Sequence, residues 1–501
     1  MKRKTKKTKL YLGYKKRNFL ITSLIILLVL VTVPLLKAQN SLNKADILKK
    51  MNLANDYFMN KWPDPTINIV TDKSRPSNIW TRAVYYEGLM ALYTIDPKDT
   101  IYNYAVRWAE GHNWEPAYGG TTTRIGDNQA CGQTYIELYQ IDPQPQRIEK
   151  IKTDIDNMIN SSKIDDWWWI DALQMAMPVF AKLGAVYQDT TYFDRMYDMY
   201  MHTKTVEGDS GLYNSVDHLW WRDASFTPPH TSPNGEDTYW SRGNGWVLAA
   251  LARVLDVMPE DVPNRDEYIK TFKEMAEALV AVQREDGFWN VSLHDSTEYG
   301  GKETSGTAFF TFGLAWGVNN GLLTDSVYKN AAIKGWEGMV NYALHENGFL
   351  GYVQSTGKQP SDGQPVTYDK APNFEDYGLG AFLLAGSEIY KIAGGTTGIS
   401  ENITRSLAIP TTAALYPAYP NPFNPQTTIS FALPKAAVVS INIYDINGRL
   451  IRKLANEYYQ AGVHRIIFNG KDLASGVYFV HSIMHLPGKQ AIFIKKIILQ
   501  K

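Results

Sequence analysis

The sequence has few of the residues that build disulfides and metal centres. Its 501 residues include one cysteine, Cys131, which excludes an intrachain disulfide and a cysteine-based zinc cluster. The nine histidines show neither HExxH nor HxH spacing, so we expect no metal site. The length exceeds that of one ordinary domain and predicts two or three.

Positive charge is scarce in the body of the chain. Residues 40–412 carry 31 Lys and Arg against 48 Asp and Glu, a net charge of −17, although the whole chain has 51 of each class. Such a field repels nucleic acid, so we expect no nucleic-acid partner. An anionic substrate would have to be recognised by a few local donors.

A long apolar run occurs at the N-terminus. Residues 1–17 carry nine Lys and Arg and no acid, and the apolar stretch 19–36 follows. The segment ends in Leu36-Lys37-Ala38-Gln39, a plausible cleavage point, so residues 1–39 are predicted to be a signal peptide. An uncleaved membrane anchor remains the alternative. We expect contact with the membrane only through this segment or through surface tethering.

Residues 40–395 are dominated by a degenerate helical repeat. Six segments each combine a polar or aromatic opening with an apolar helix. They begin at Asn78, Asp127, Trp167, Tyr239, Glu303 and Phe374. Amphipathic stretches such as 268–284 and 326–345 alternate with them. Six apolar and six amphipathic helices predict an all-α (α/α)6 barrel whose polar openings meet at one mouth.

One opening contains a carboxylate among indole rings. Trp167-Trp168-Trp169 stands just before Asp171, and loss of water around an ionised carboxylate raises its pKa. A raised pKa produces a general acid that holds its proton near neutral pH. The alternative is an Asp favoured by the helix dipole and tryptophans that belong to the core.

The C-terminal part of the chain has a different pattern. Residues 396–412 are rich in Thr, Ser, Gly and Pro and are predicted to be a linker. Residues 413–501 contain short alternating strands, which predict a small all-β sandwich. This domain contains no cluster of acids or histidines, so we expect no second active site there.

The C-terminal motifs resemble the sorting domain of the type IX secretion system. They are Tyr416–Pro425, Tyr444–Arg449 and Ala474–Tyr478. The resemblance implies that the type IX machinery is a partner. It also implies a protein that crosses the periplasm and is secreted or held at the cell surface.

The body resembles glycoside hydrolase family 105, and more distantly family 88. Five motifs carry the resemblance, namely Asp127 with Gly132–Tyr135, Trp169–Leu173, Trp240–Trp246, Ser305–Ala308 and Asp376–Phe382. The resemblance implies an exo-acting hydrolase without cofactors. Its expected substrates are oligosaccharides left by lyases, of rhamnogalacturonan or ulvan type, from which it removes a 4,5-unsaturated uronic acid.

The resemblance also implies a reaction and its residues. An acid protonates C4 of the enol ether, water adds at C5, and the hemiketal opens to release the aglycone. Asp171 would be the general acid and base, and Asp127 the second carboxylate. Expected substrate-binding residues are Arg242, Trp240, Trp246, Asn244, Gln129, Trp169, Ser305 and Thr307.

Arg242 has two interpretations at this stage. Its guanidinium suits the uronate carboxylate, but an arginine beside tryptophan also forms structural cation–π pairs. A histidine that some family members carry after Gly-Leu-Tyr has no counterpart, because Asn214 and Ser215 follow Gly211-Leu212-Tyr213 here.

Two other functions compete with the hydrolase. A sugar isomerase or epimerase on the same barrel would need paired histidines at the mouth, and none of the six openings contains one. A surface glycan-binding protein without catalysis is the other alternative. The presence of both Asp127 and Asp171 argues against it.

Overall fold

A computed structural model gives the three-dimensional structure. It describes residues 42–71, 73–370, 376–394, 413–416, 418, 421–486 and 489–500. The predicted signal peptide, 1–39, and the predicted linker, 396–412, lie outside the described residues.

Six largely buried helices form the inner layer of the first domain. They are α2 (Trp80–Ile95), α5 (Cys131–Ile141), α7 (Asp171–Tyr187), α9 (Ser241–Leu255), α11 (Thr304–Asn319) and α13 (Asp376–Ile392). Each packs on the next along the chain, and α13 packs back on α2, so the ring is closed. Every residue of α9 is buried, as expected for a helix surrounded by other helices.

Six amphipathic helices surround the inner ring. They are α1 (Lys44–Lys61), α3 (Asp99–Gly111), α6 (Glu149–Ile159), α8 (Thr190–Thr205), α10 (Arg265–Ala281) and α12 (Ser326–Tyr342). A short helix, α4 (Gly126–Gln129), directly precedes α5. The predicted (α/α)6 architecture is confirmed. Among the described residues, none of the helices is both long enough and apolar enough to span a membrane.

The closure between α2 and α13 depends on glycine. A Cβ atom on Gly88 would lie 2.3 Å from the carbonyl oxygen of Gly380, and one on Gly380 would lie 2.2 Å from that of Val84. The two helices therefore touch backbone to backbone. At their N-terminal ends, Arg82 Nε donates to Asp376 Oδ2 at 2.8 Å in a buried ion pair.

Short strands occur in the long connections of the barrel. The pair β1 (Ile69–Val70) and β2 (Ser74–Arg75) precedes α2, and the pair β3 (Tyr213–Asn214) and β4 (Leu219–Trp220) precedes α9. Both pairs are antiparallel. They fix the paths of loops beside the starts of the inner helices.

The described part of the C-terminal domain contains seven strands in two antiparallel sheets. They are β5 (Ala414–Leu415), β6 (Gln426–Leu433), β7 (Ala437–Asp445), β8 (Leu450–Tyr459), β9 (Gly462–Asn469), β10 (Gly476–Leu486) and β11 (Lys489–Leu499). The sheets have the orders β11-β10-β7-β8 and β5-β6-β9. Alternate residues such as Val439, Ile441 and Ile443 point into a shared apolar core.

The sequence of the strand β8 carries no clear strand pattern. The strand lies at a sheet edge, and most of its side chains are exposed or half-buried, so its sequence lacks a clear apolar alternation. The predicted all-β character of this part of the chain is confirmed by the strands between Ala414 and Leu499.

We predict that Gly380→Ala destabilises the barrel. The new methyl group would overlap the Val84 carbonyl, and overpacking of this kind costs about 2 kcal/mol, more than the helix propensity gained. We expect the thermal midpoint to fall by about 3–5 °C. The control is Gly476→Ala, because a Cβ at Gly476 meets no atom within 4 Å. An unchanged midpoint in Gly380→Ala would show that the ring closes less tightly than described.

Candidate active site

The contact between α4 and α7 brings two carboxylates together. A Cβ on Gly126 would lie 3.3 Å from Cα and from the carbonyl oxygen of Ala172, so the two helix starts meet without a side chain between them. Asp127 follows Gly126, and Asp171 precedes Ala172. The two acids therefore lie close enough for the charge of Asp171 to raise the pKa of Asp127.

A backbone pairing adds an arginine to this site. Ile170 N donates to Arg222 O at 3.0 Å, and Trp169 forms an antiparallel bridge with Asp223. Because this pairing involves the residue next to Asp171, it places the Arg222 side chain beside that carboxylate. The sequence analysis did not select Arg222, which lies in the loop before α9.

The guanidinium of Arg222 joins two acids. Its Nη2 donates to Asp171 Oδ2 at 3.3 Å, and its Nη1 donates to Asp223 Oδ2 at 2.8 Å. Its Cζ lies 5.9 Å from the centre of the half-exposed Trp168 ring. Arg222 Nε and Asp171 Oδ1 are buried, and neither has a hydrogen-bond partner among the described residues. One donor and one acceptor at the site thus remain available.

The pKa values of these groups follow from burial first and from charge second. Burial raises the pKa of Asp127 to about 7, with a further increase from Asp171 and an opposing effect of Arg222. Burial also raises the pKa of Asp171, although Arg222 and Arg242 oppose the change. Burial alone would raise the pKa of Asp223, but hydrogen bonds from Ser225 and Arg222 outweigh the effect of burial and lower this pKa.

An open cavity adjoins Asp127. It has a volume of about 300 Å³ and is lined by residues of three segments of the mouth. The lining residues are Arg75, Ile79, Trp80, Thr81, Tyr118, Ile125, Asp127, Asn128 and Thr356. The volume and the mixture of apolar and polar walls suit a small ligand.

Arg242 does not contribute to an open surface. It is fully buried, and it donates to Gln354 O at 2.9 Å and to Ser355 O at 2.8 Å. Its Cζ lies 4.4 Å from the Trp240 ring and 4.9 Å from the Tyr377 ring. Two of its donors thus hold backbone and its face packs on aromatic rings, while its Nε is buried without a partner among the described residues, so the direct uronate contact stays a prediction.

Most other predicted substrate contacts are also buried and internally bonded. Asn244 is held by the backbone of Trp220 and Trp240, and Gln129 Nε2 donates to Asp154 Oδ2 at 2.8 Å. Ser305 Oγ donates to Glu303 at 2.6 Å, and Thr307 Oγ1 accepts from Trp289 N at 3.0 Å. These four polar side chains have no exposed surface. They secure loops and helix starts, and their predicted substrate contacts stay predictions.

The predicted aromatic contacts are buried in the same way. Trp246 is 1% exposed and packs on Phe309, and Trp240 is 1% exposed and donates to Gln354 Oε1 at 2.8 Å. Trp169 is 6% exposed, whereas Trp168, whose ring centre lies 4.6 Å from that of Trp169 at a tilt of 51°, is 49% exposed. Of the three adjacent tryptophans, Trp168 offers the largest free ring surface. No group of His, Cys, Asp and Glu suited to hold a metal occurs in the described part of the chain.

Comparison with known proteins identifies the family. The model described as Glycosyl Hydrolase Family 88 matches residues 50–393, from within α1 to just beyond α13. The chain belongs to this family. The model described as Secretion system C-terminal sorting domain matches residues 417–500. The chain is thus a family 88 glycoside hydrolase with a type IX sorting domain, which indicates export.

Individual proteins of known name support the assignment. An unsaturated 3S-rhamnoglycuronyl hydrolase of Formosa agariphila is 36% identical over 336 residues, 62% of this chain and 84% of the relative. A solved family 88 structure from Bacteroides vulgatus is 32% identical with a TM-score of 0.63, covering 70% of this chain and 99% of that one. A structure described as a polysaccharide lyase is 33% identical with a TM-score of 0.64, covering 70% and 98%.

Family 105 shares the fold of this family 88 enzyme. A family 105 structure from C. acetobutylicum is 21% identical with a TM-score of 0.55, covering 68% of this chain and 99% of that one. A likeness at this identity shows the barrel alone.

We predict that Asp171→Asn lowers the pKa of Asp127 from its value of about 7, because it removes the neighbouring negative charge. Burial keeps the pKa above the ordinary range for Asp. The measurement is a titration of carboxyl carbons by NMR in protein labelled at aspartate. Asp154 is the internal control, since burial raises its pKa to about 7 with no contribution from Asp171. If Asp127 titrates identically in both proteins, the two acids are not coupled.

Proposed function

We propose that this enzyme removes a 4,5-unsaturated uronic acid from the non-reducing end of lyase-generated oligosaccharides by hydrating the enol ether. The main support for this proposal is a pair of adjacent carboxyls at the barrel mouth, Asp127 and Asp171. The pKa values of both are raised. Two close carboxyls that are poorly solvated tend to share one proton near neutral pH. The name of the Formosa agariphila relative supports the same substrate class.

Asp171 is the proposed acid. Its Oδ2 is occupied by Arg222, whereas its buried Oδ1 has no partner among the described residues, so Oδ1 is the atom that would hold the transferable proton. Transfer of that proton to C4 leaves a carboxylate that Arg222 stabilises. The same carboxylate can then take a proton from the water that adds at C5. The resulting hemiketal opens and releases the aglycone.

Asp127 and Arg222 are the proposed supporting residues. Asp127 lines the cavity of about 300 Å³ and would accept hydrogen bonds from ring hydroxyls, while the charge of Asp171 contributes to its raised pKa. Arg222 Nε is a buried donor without a partner among the described residues, which suits it to the uronate carboxylate. Arg222 thus takes the role that the sequence had suggested for Arg242.

The parent polymer is proposed to be rich in rhamnose and uronate, of ulvan or rhamnogalacturonan type. The sorting domain at 417–500 supports delivery through the type IX system. We propose that the enzyme acts outside the cell or at its surface, where lyase products arise.

A lyase is the second candidate, favoured by the 33% identical structure described as a polysaccharide lyase. Both reactions involve the same unsaturated sugar but in opposite directions. A lyase creates the carbon–carbon double bond by β-elimination from an intact polymer, and the hydrolase consumes it. The ultraviolet absorbance of the enol ether therefore rises with a lyase and falls with the hydrolase.

The deciding experiment follows this absorbance with intact and lyase-digested rhamnogalacturonan, ulvan and glycosaminoglycan. We expect the signal of a digest to fall, and Asp171→Asn to lower the rate by about 10²–10⁴. Asp165→Asn is the matched control, because Asp165 lies in the same segment but is exposed and pairs only with Lys163 among the described residues. No fall with any digest would refute the hydrolase, and a rise with intact polymer would establish the lyase.

We predict that Arg222→Gln shifts the alkaline limb of kcat/KM to higher pH. Arg222 lowers the pKa of both Asp127 and Asp171, so its loss raises both, and an acid with a higher pKa stays protonated at higher pH. Arg222→Lys keeps the charge and should move the limb less. Arg195→Gln on α8, whose Nη2 donates to Ile159 O, should leave the profile unchanged. An unchanged alkaline limb of kcat/KM in Arg222→Gln would show that Arg222 does not influence the pKa of the acid that titrates.

A further inference from the structure

The inner helix that begins at Asp171 contains a proline in its interior. Pro178 of α7 has no amide hydrogen, so the carbonyl oxygen of Gln174, four residues before it, lacks its usual helical donor. Gln174 is fully buried, which keeps bulk water away from this oxygen. A buried carbonyl without a donor is unfavourable, so the first turn of α7 needs a hydrogen bond from elsewhere.

A side chain of the neighbouring helix α5 supplies this donor. Gln133 Nε2 donates to Gln174 O at 2.8 Å and to Glu87 Oε1 at 3.0 Å. Gln133 Oε1 accepts from Arg253 Nε at 2.7 Å. Two acceptors on one side and a donor on the other allow one orientation of the amide, and they use both of its hydrogens. The Gln133 amide is thus fixed as the donor to α7.

This hydrogen bond belongs to a buried network that joins four inner helices. Gln174 Nε2 donates to Glu87 Oε2 at 2.8 Å, so glutamines of α5 and α7 bind the two oxygens of one carboxylate on α2. Arg253 of α9 also donates to Glu137 Oε1 at 3.0 Å. Glu87, Gln133 and Gln174 have no exposed surface. Hydrogen bonds in such a network support one another and leave the side chains little freedom to move.

The same glutamine is connected to Asp127 along a continuous helical path. Ala130, between α4 and α5, has helical φ and ψ of −53° and −37°. Ala130 N donates to Gly126 O at 3.1 Å, and Gln133 N donates to Ala130 O at 3.2 Å. The segment from Asp127 to Gln133 is therefore one rigid piece. It meets α7 at the Gly126 contact described above and again at Gln133, and two points of contact fix both its distance and its angle.

We propose that Gln133 is a positioning residue that holds Asp171 against Asp127, by giving α7 the hydrogen bond that Pro178 cannot supply. Its amide has no hydrogen left for either acid, so it acts through the orientation of the first turn of α7. The consequence for catalysis rests on the proposed function. The effect on the spacing of the two acids does not.

The test removes the donor with Gln133→Met, which retains the length of the side chain. We expect the pKa of Asp127 to fall from its value of about 7, because the charge of Asp171 acts on it less strongly when the pair loosens. The measurement is the NMR titration of labelled aspartate. With a lyase digest we expect kcat to fall by about 10- to 100-fold and KM to change little, since a misplaced acid impairs the chemical step. Thr134→Val is the matched control, as this neighbouring hydroxyl is buried and has no partner among the described residues.

Pro178→Ala offers a rescue that a merely structural role of Gln133 would not produce. Alanine restores an amide hydrogen four residues after Gln174, so Gln174 O regains a helical donor. Pro178→Ala alone retains the bond from Gln133 and should behave as wild type. Combined with Gln133→Met, it should restore most of the lost kcat and the wild-type titration of Asp127. Gln133→Asn, whose amide is one methylene shorter, is the second variant, and circular dichroism shows which of the two is folded.

Each result has a distinct meaning. A wild-type pKa of Asp127 in a folded Gln133 variant, or a loss of kcat that Pro178→Ala does not restore, overturns the positioning role while the proposed function stands. A wild-type enzyme that consumes no lyase digest overturns the proposed function. The titrations of Asp127 in the single and double variants then still support or overturn the positioning role, because they need no substrate.

Discussion

The close approach of α2 and α13 is the constraint on which the barrel depends. Gly88 and Gly380 let the two backbones touch, and the Arg82–Asp376 ion pair is buried at the same junction. A buried ion pair is favourable only when its geometry is maintained, because both charges have lost their water. The glycines maintain that geometry by permitting the approach. Since six inner helices share one ring, a shift at this junction would move every helix start at the mouth.

The polar helix starts serve mainly to hold the loops that form the mouth. Gln354, in the segment after α12, receives hydrogen bonds from Arg242, Trp240 and Tyr377. Three residues at the starts of α9 and α13 thus fix the position of the loop that contains Gln354. The motifs that resemble known hydrolases combine residues that face the cavity with residues that support it from behind. Strong similarity at such a motif indicates the family without indicating which side chains touch the substrate.

The sequence was sufficient to predict the fold because the repeat is local. Each apolar helix with a polar opening is visible in one stretch, and the number of repeats determines the ring. The juxtaposition of Asp127 and Asp171 was also predictable, as both stand at helix starts. Arg222 was not, because its position depends on a backbone pairing between residues about 50 apart in sequence, Ile170 and Arg222. The burial of Asn244, Gln129 and Arg242 depends on packing from all sides, which periodicity does not reveal.

The balance of burial and charge at Asp171 suits protonation of carbon. An arginine beside an exposed carboxyl would keep it ionised, and such a group could not act as an acid near neutral pH. Here burial is the larger effect and Arg222 the smaller, so the pKa of Asp171 remains raised despite the ion pair. In the proposed reaction, the arginine would have its main effect after proton transfer, when it stabilises the new carboxylate. The charge of Asp171 also raises the pKa of Asp127, because the pair resists carrying two charges in one poorly solvated place. In the proposed reaction, Asp171 would thus hold its proton until a substrate can accept it.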